Sequence, residues 1–341
     1  MPAWESGISS SFPCGNWTRI GKPSPGRREV FPPACDGWAV SRRGNGVVRR
    51  GDRFVVIGGG RVGTAVGYLL SRAGREVAAV ACRSEESLEK AGEYLPRAYL
   101  TTDMVRAARK GNVLLITTPD DLIADACITL ASAGAIKRGS YVVHMSGALG
   151  LDVLEAAEEA GAATASVHPL QTFADVRGAV RKIPGSVFAV TARDSRTVEW
   201  AEGLVRLLGG EPVRLAEENK VLYHLGAVMA SNLLVALEHA AELLYQEIGM
   251  EGEKALRALL PLIEGTVGNL RRLGTEKALT GPVARGDIGI VRRHLEKLEE
   301  EGREKHLRAY VALTRFALDL AEANLSRSRT QEMEELLERY S

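Results

Sequence analysis

The chain has 341 residues, 45% of them hydrophobic, with 44 Lys and Arg against 43 Asp and Glu and a formal net charge of +1. That length suffices for two domains with sizeable cores, and the near-neutral balance argues against a nucleic-acid or acidic-membrane partner. Four cysteines, Cys14, Cys35, Cys82 and Cys127, form no CxxC pair, which argues against a disulfide framework or zinc site and for a reducing, cytoplasmic setting, and no apolar run is expected to span a membrane.

Residues 1–50 differ from the rest. They hold six of the thirteen prolines, three of the four tryptophans and a charge of +5. With no apolar periodicity and no signal-peptide core, they read as a disordered extension or an early start.

Order begins at Arg53. An apolar run, Phe54 to Ile57, meets Gly58, Gly59 and Gly60, and Gly63 completes Gly58-x-Gly60-x-x-Gly63. A helical pattern from Val62 to Ala73 follows, then a second apolar run from Val77. Strand, glycine turn, helix and strand in this order form the context of a dinucleotide fingerprint. Gly58 permits the turn, Gly60 lets backbone approach a pyrophosphate, and Gly63 lets helix and strand pack closely. Arg61 and Val62 open the helix, whose free N–H groups and positive dipole end face the phosphates. The second strand ends Val80-Ala81-Cys82, with Arg83-Ser84 next and no carboxylate at the tip. A guanidinium and a hydroxyl suit a 2′-phosphate, so NADP is expected over NAD; the alternative for Arg83 is an ordinary surface arginine.

Helical stretches at 85–92 and 102–110 flank no recognised strand, and the next strand, Asn112 to Ile116, runs into Thr117-Thr118-Pro119-Asp120-Asp121. Small hydroxyl residues and a proline there leave room for a nicotinamide ribose, although a plain strand-to-helix turn reads equally well. After a helix at 122–133 comes the strand Tyr141 to His144, with Met145-Ser146-Gly147-Ala148 at its carboxyl end. Ligands of open parallel sheets sit beyond such ends, which places Ser146 near a cofactor. His144 reads as a hydrogen-bonded histidine inside the sheet. A helix at 151–160 leads to the strand Ala163 to Val167 and to the polar loop His168-Pro169-Leu170-Gln171-Thr172-Phe173. With the strand Ser186 to Thr191, six apolar strands alternating with helices predict a doubly wound parallel sheet.

From Asp194 the pattern is helical: 196–208, a long run over 217–248, then 252–273, 287–301, 304–323 and an amphipathic end at 330–340. Inside the long run, Lys220, His224 and Ser231 fall on one stripe, with Asn232 beside it. Hydride arriving at a carbonyl or imine carbon leaves charge or an amine that a lysine or histidine can stabilise or protonate. The bland alternative is a snorkelling lysine and a satisfied core histidine. In the loop Leu279-Thr280-Gly281-Pro282-Val283-Ala284-Arg285-Gly286-Asp287, Arg285 either clamps a carboxylate or pairs with Asp287.

The glycine fingerprint, His144-Met145-Ser146-Gly147, His168 to Phe173, Ser231-Asn232 and Leu279 to Asp287 together resemble a bacterial group that joins a Rossmann-like NADP-binding domain to a helical C-terminal domain of unknown function. The resemblance covers residues 52–325. The group is similar in architecture to pyrroline-5-carboxylate reductase, ketopantoate reductase and 6-phosphogluconate dehydrogenase. This implies NADP-linked reduction and a helical domain that dimerises. Lys220 lies where related enzymes carry a catalytic lysine, but His224 stands where those have the asparagine of Lys-x-x-x-Asn.

The expectation is thus an α/β protein: an extension at 1–50, a Rossmann dinucleotide-binding domain at 51–193 and an all-α domain at 194–341 that binds substrate and forms a homodimer. The expected activity is NADPH-dependent reduction of a small 2-oxo or imino acid. Lys220 or His224 would protonate, His168 and Asn232 would orient, and Ser231 and Arg285 would touch substrate. Gly58, Gly60, Arg61, Val62, Gly63, Arg83, Ser84, Thr117, Thr118 and Ser146 would hold NADP, and no metal is expected. The alternatives are ketopantoate reductase specifically, or a non-catalytic NADP(H)-binding sensor.

Overall fold

The computed structural model describes residues 48–250 and 252–341; the extension read over residues 1–50 therefore lies, up to residue 47, outside the described residues. The first half alternates strand and helix: β1 (Arg53–Ile57), α1 (Arg61–Arg72), β2 (Glu76–Ala81), α2 (Glu85–Tyr94), β3 (Tyr99–Thr101), α3 (Met104–Ala108), β4 (Val113–Ile116), α4 (Ile123–Ser132), β5 (Tyr141–His144), α5 (Glu155–Glu159), β6 (Ala163–Pro169), α6 (Val176–Lys182), β7 (Val187–Thr191), α7 (Ser195–Leu207) and β8 (Glu211–Arg214). They form one sheet in the order β3-β2-β1-β4-β5-β6-β7-β8. Every neighbouring pair is parallel except β6 and β7, which run antiparallel.

The sheet is buried on both faces, as parallel sheets must be. Phe54 and Val56 of β1 face one core with α1, α2 and α7, while Val55 and Ile57 face a second with α3, α4 and α5. Trp200 of α7 stacks on Tyr141 at 3.9 Å and donates its indole N–H to Asp52.

Two strands escape the six expected. β3 has only three residues, Tyr-Leu-Thr, too few to show alternation. β8 reads Glu-Pro-Val-Arg, with polar ends and a proline, a composition tolerated at an edge strand. The sheet accordingly does not stop at residue 193, the boundary expected from sequence; α7 and β8 carry it to Arg214.

The helical part follows: α8 (Lys220–Ala230), α9 (Asn232–Glu247), α10 (Glu253–Ala278), α11 (Pro282–Arg285), α12 (Ile288–Glu300), α13 (Glu304–Ala321) and α14 (Arg327–Glu338). The long run is two helices, because Ser231 leaves helical geometry at φ −127 and ψ −68. α10 likewise breaks at Gly274, whose φ is 74. The last four helices share a core of Val283, Val291, Leu295, Val311 and Leu337. By contrast, α9 buries no residue and α8 buries only Lys220. Contrary to the reading from sequence, the stretch Glu217–Glu247 is long and apolar enough, by length and composition, to cross a membrane. Lys220 at its start is sealed inside the protein at 1% exposure, so that end of the stretch is docked on the sheet.

Candidate functional site

Strand order reverses around β1, which has β2 on one side and β4 on the other. Ligands of open α/β sheets lie at such a switch point, beyond the carboxyl ends of the strands. The glycine turn occupies it. Gly58 adopts φ 102, and a Cβ there would meet Thr117 and Thr118 backbone at 2.7–2.8 Å. A Cβ on Gly63 would lie 2.3 Å from Thr117 Oγ1 and 2.4 Å from Gly58 O. Packing therefore accounts for both glycines. Gly60 is different: a Cβ there would meet nothing within 4 Å. Gly60 is the N-cap of α1, with no side-chain cap and no acidic residue in the first turn. Arg61, Val62 and Gly63 thus begin a helix without a side chain over its first N–H groups, a standing site for a phosphate.

Thr117 is committed to the turn through its Oγ1, which donates to Gly58 O at 2.7 Å. Thr118 Oγ1 is buried with no partner. An unpaired hydroxyl beside an open, uncapped helix start fits a bound dinucleotide. Arg83 is exposed at the tip of β2. Ser84 caps α2, accepting from Ser87 N at 3.3 Å. Ser146, expected at the cofactor, spends its hydroxyl on Asp120 after β4 and on its own loop. Its Oγ donates to Asp120 at 2.7 Å and accepts from the backbone N–H of Ala148 and Leu149.

A second cluster forms where β5 and β6 end and α8 begins. Lys220 Nζ donates to Ser166 Oγ at 2.7 Å and to Ser146 O at 3.2 Å. Burial pushes its ammonium down to about 8, against Glu217 and Asp120, which hold it up. His144, at 0% exposure, accepts from Ser146 N through Nδ1 and so donates through Nε2 to Gly150 O. Burial first, and the Lys220 charge second, hold it down to about 3. His144 is thus the satisfied sheet histidine that the sequence suggested.

His168 and His224 meet across Gly147, their ring centroids 6.1 Å apart. His168 Nδ1 lies 2.9 Å from the Tyr223 hydroxyl. Burial, then Lys220 and His224, hold the His168 ring down to about 4. Burial pushes the Tyr223 phenol up to about 12. Glu217, in the turn leading into α8, accepts from Leu151 N and so ties α8 to the loop after β5.

The structure therefore brings Lys220, His224, His168 and Ser146 together. It adds Tyr223, Ser166 and Gly147, which the sequence reading passed over. Tyr223 carried a usable signal, since it follows Lys220 by three positions and shares its face. Ser231 and Asn232 sit at the break beyond α8, eleven and twelve residues on from Lys220. At 1.5 Å per residue that is roughly 16 Å along the axis, so the expected single stripe is interrupted. Arg285 binds Asp287 at 2.8 Å, the pairing that was its alternative, and belongs to α11 in the C-terminal core. Neither Asn232 nor Arg285 touches the cluster among the described contacts.

Comparison with known proteins agrees with this architecture. BF3122 from Bacteroides fragilis, provisionally named an NADP oxidoreductase, is 22% identical and superposes with a TM-score of 0.65 over 79% of this chain and 99% of its own. TM1727 from Thermotoga maritima gives 23% identity and 0.62 over 80% and 99%. An NADH-preferring ketol-acid reductoisomerase from an uncultured archaeon gives 17% identity and 0.55 over 87% and 94%. At these identities the likeness is one of fold. No curated protein matches the sequence. The model of a Rossmann-like domain matches residues 44–169, and that of DUF2520, a domain of unknown function, matches residues 186–316. The chain is thus similar in its first part to a Rossmann-like domain and in its second to DUF2520.

Proposed function

We propose that this protein is an NADPH-dependent reductase of a small 2-oxo or imino acid, acting as a cytoplasmic homodimer. One observation carries the reading: a sealed lysine, Lys220, and two imidazoles, His168 and His224, gather at the carboxyl ends of β5 and β6, along the same sheet edge as the uncapped glycine turn. A charge-stabilising and proton-bearing group at that edge is what hydride transfer requires. The name given to BF3122 points the same way.

In this reading the N–H groups of Arg61, Val62 and Gly63 bind the pyrophosphate, and Arg83 takes the 2′-phosphate. Gly58 and Gly60 shape the turn. Thr118 offers its unpaired hydroxyl to the nicotinamide ribose. When bound, NADPH supplies the hydride. Lys220 supplies positive charge, His224 the proton, and His168 a hydrogen bond that orients the substrate. The proposed chemistry uses neither Asn232 nor Arg285.

The homodimer rests on α8, α9 and α10. Val221, Leu222, Val235, Ile248 and Leu262 are 66–74% exposed there. An apolar surface of that kind on a soluble fold marks an interface, and a symmetric copy of the same chain satisfies it most simply.

Fluorescence titration of the full chain with NADPH and NADH tests the reading. A dissociation constant for NADPH at least tenfold below that for NADH is expected. The reverse preference would remove the role of Arg83. Binding of neither would overturn the reductase reading and leave an interaction protein on a nucleotide fold.

A further inference from the structure

Two side chains close on Gly147. A methyl group on its α-carbon would stand 2.7 Å from His224 Nδ1 and 2.9 Å from His168 Nε2. Only a glycine lets both nitrogens face one spot, and they lie at most about 5.6 Å apart, the span of one oxygen bonded to both. His224 Nδ1 is buried and has no partner. His168 is bonded on its far side to Tyr223, at 2.9 Å. We take the phenol O–H as the donor in that bond, the direction that gives its hydrogen an acceptor. The ring proton of neutral His168 then sits on Nε2, the nitrogen that faces Gly147.

Behind this pair lies Lys220, 1% exposed and bonded to two uncharged atoms, Ser146 O and Ser166 Oγ. Two carboxylates stand near it, and both have other partners. Glu217 accepts from Leu151 N and faces Arg193. Asp120 accepts from the Ser146 hydroxyl.

We infer that the group reduced at this site is a neutral carbonyl and not a protonated imine. The inference rests on the reductase reading and narrows it. Hydride addition breaks the C=O π bond and moves its electron pair onto oxygen. A fixed N–H on His168 and a buried ammonium stabilise that oxygen. A protonated imine starts as a cation and offers only N–H at the same place. It would face a donor in His168 and a like charge in Lys220, both unfavourable in a desolvated site. In the step proposed here, hydride from NADPH bonds to the carbonyl carbon. His224 relays a proton to the new alkoxide, taking one from water at one ring nitrogen as it gives one up at the other, so that a hydroxyl, NADP+ and a neutral imidazole remain.

The test is NADPH oxidation by the full chain with 2-oxo acids, each paired with the cyclic imino acid of equal carbon number, such as 2-oxopentanoate and Δ1-pyrroline-2-carboxylate. The expected result is a kcat/KM at least tenfold higher for the 2-oxo acid. Equal or better turnover of the imine would overturn the inference and leave the reductase reading standing. Oxidation with neither class, while NADPH still binds, would overturn both. Lys220→Met keeps the length of the side chain and removes its charge. In a folded variant the preference for carbonyl should shrink tenfold or more. A preference unchanged in that variant would also sink the inference.

Discussion

Gly58, Gly60 and Gly63 look alike in the sequence and differ in the fold. A methyl on Gly63 would drive into Thr117 Oγ1 at 2.3 Å and Gly58 O at 2.4 Å, so Gly63→Ala should cost about 1–3 kcal/mol of stability. Gly60 has φ −79, which alanine adopts freely, and empty space where the methyl would go. Gly60→Ala should therefore unfold within about 0.5 kcal/mol of the parent while binding NADPH at least tenfold more weakly. Urea unfolding and fluorescence titration of the two variants separate packing from ligand contact. A Gly60→Ala variant with unimpaired affinity would show that no phosphate passes there. The fingerprint was legible because its spacing encodes one turn. The Arg285–Asp287 contact, two residues apart, was legible as one of two readings, whereas the committed Ser146 hydroxyl was not, since its partner Asp120 is distant in sequence and leaves no spacing to read.

At the scale of elements, β1, β2, β4, β5, β6 and β7 stood out as apolar runs because both their faces are buried. β3 and β8 did not, being a three-residue strand and a polar edge. The break at Ser231 was hidden because serine is compatible with helix and the apolar pattern continues through it. That pattern is nearly continuous for a reason the sequence does not state. On α8 the polar side chains Lys220, Tyr223 and His224 turn toward the sheet, and Val221, Leu222 and Leu225 turn outward. The helix is inverted relative to an ordinary surface helix. If the outward face meets a second copy, light scattering of the full chain should give twice the 36.7 kDa chain mass. Leu222→Glu combined with Val235→Glu, both at exposed positions of 68–69%, should reduce that mass to one chain by placing charge in an apolar interface. A monomeric parent protein would remove the homodimer from the proposal.

For the molecule as a whole, the buried cluster ties stability to pH in a definite direction. His144 and His168 are held to about 3 and about 4 in the folded chain, against an ordinary value of 6.5. Between those values the unfolded chain binds more protons. Their contribution is thus complete above pH 6.5 and lost as pH falls towards 4 and then 3. At pH 5 the loss approaches about 2 kcal/mol for each histidine as an upper bound. Lys220 acts at the other end. Its folded value of about 8 lies below the ordinary 10.5, so stability should rise from pH 8 towards 10.5 as the unfolded chain alone stays charged. Urea midpoints across pH 4 to 10 should show both limbs. Lys220→Met should abolish the alkaline rise and, by removing a charge that both histidines feel, soften the acid loss.

The two faces of α8 carry one further consequence. The residues that would do chemistry and the residues that would hold a second subunit alternate on the same eleven-residue rod, Lys220–Ala230. A rigid helix transmits a shift on one side to the other without attenuation. Evolution could then not retune the docking of one subunit on another without also moving the ammonium and the imidazoles, nor adjust those groups without disturbing assembly. Such a helix acts as a lever with its fulcrum at the sheet edge. Drift in the surrounding sequence is free only where neither end of the lever is loaded.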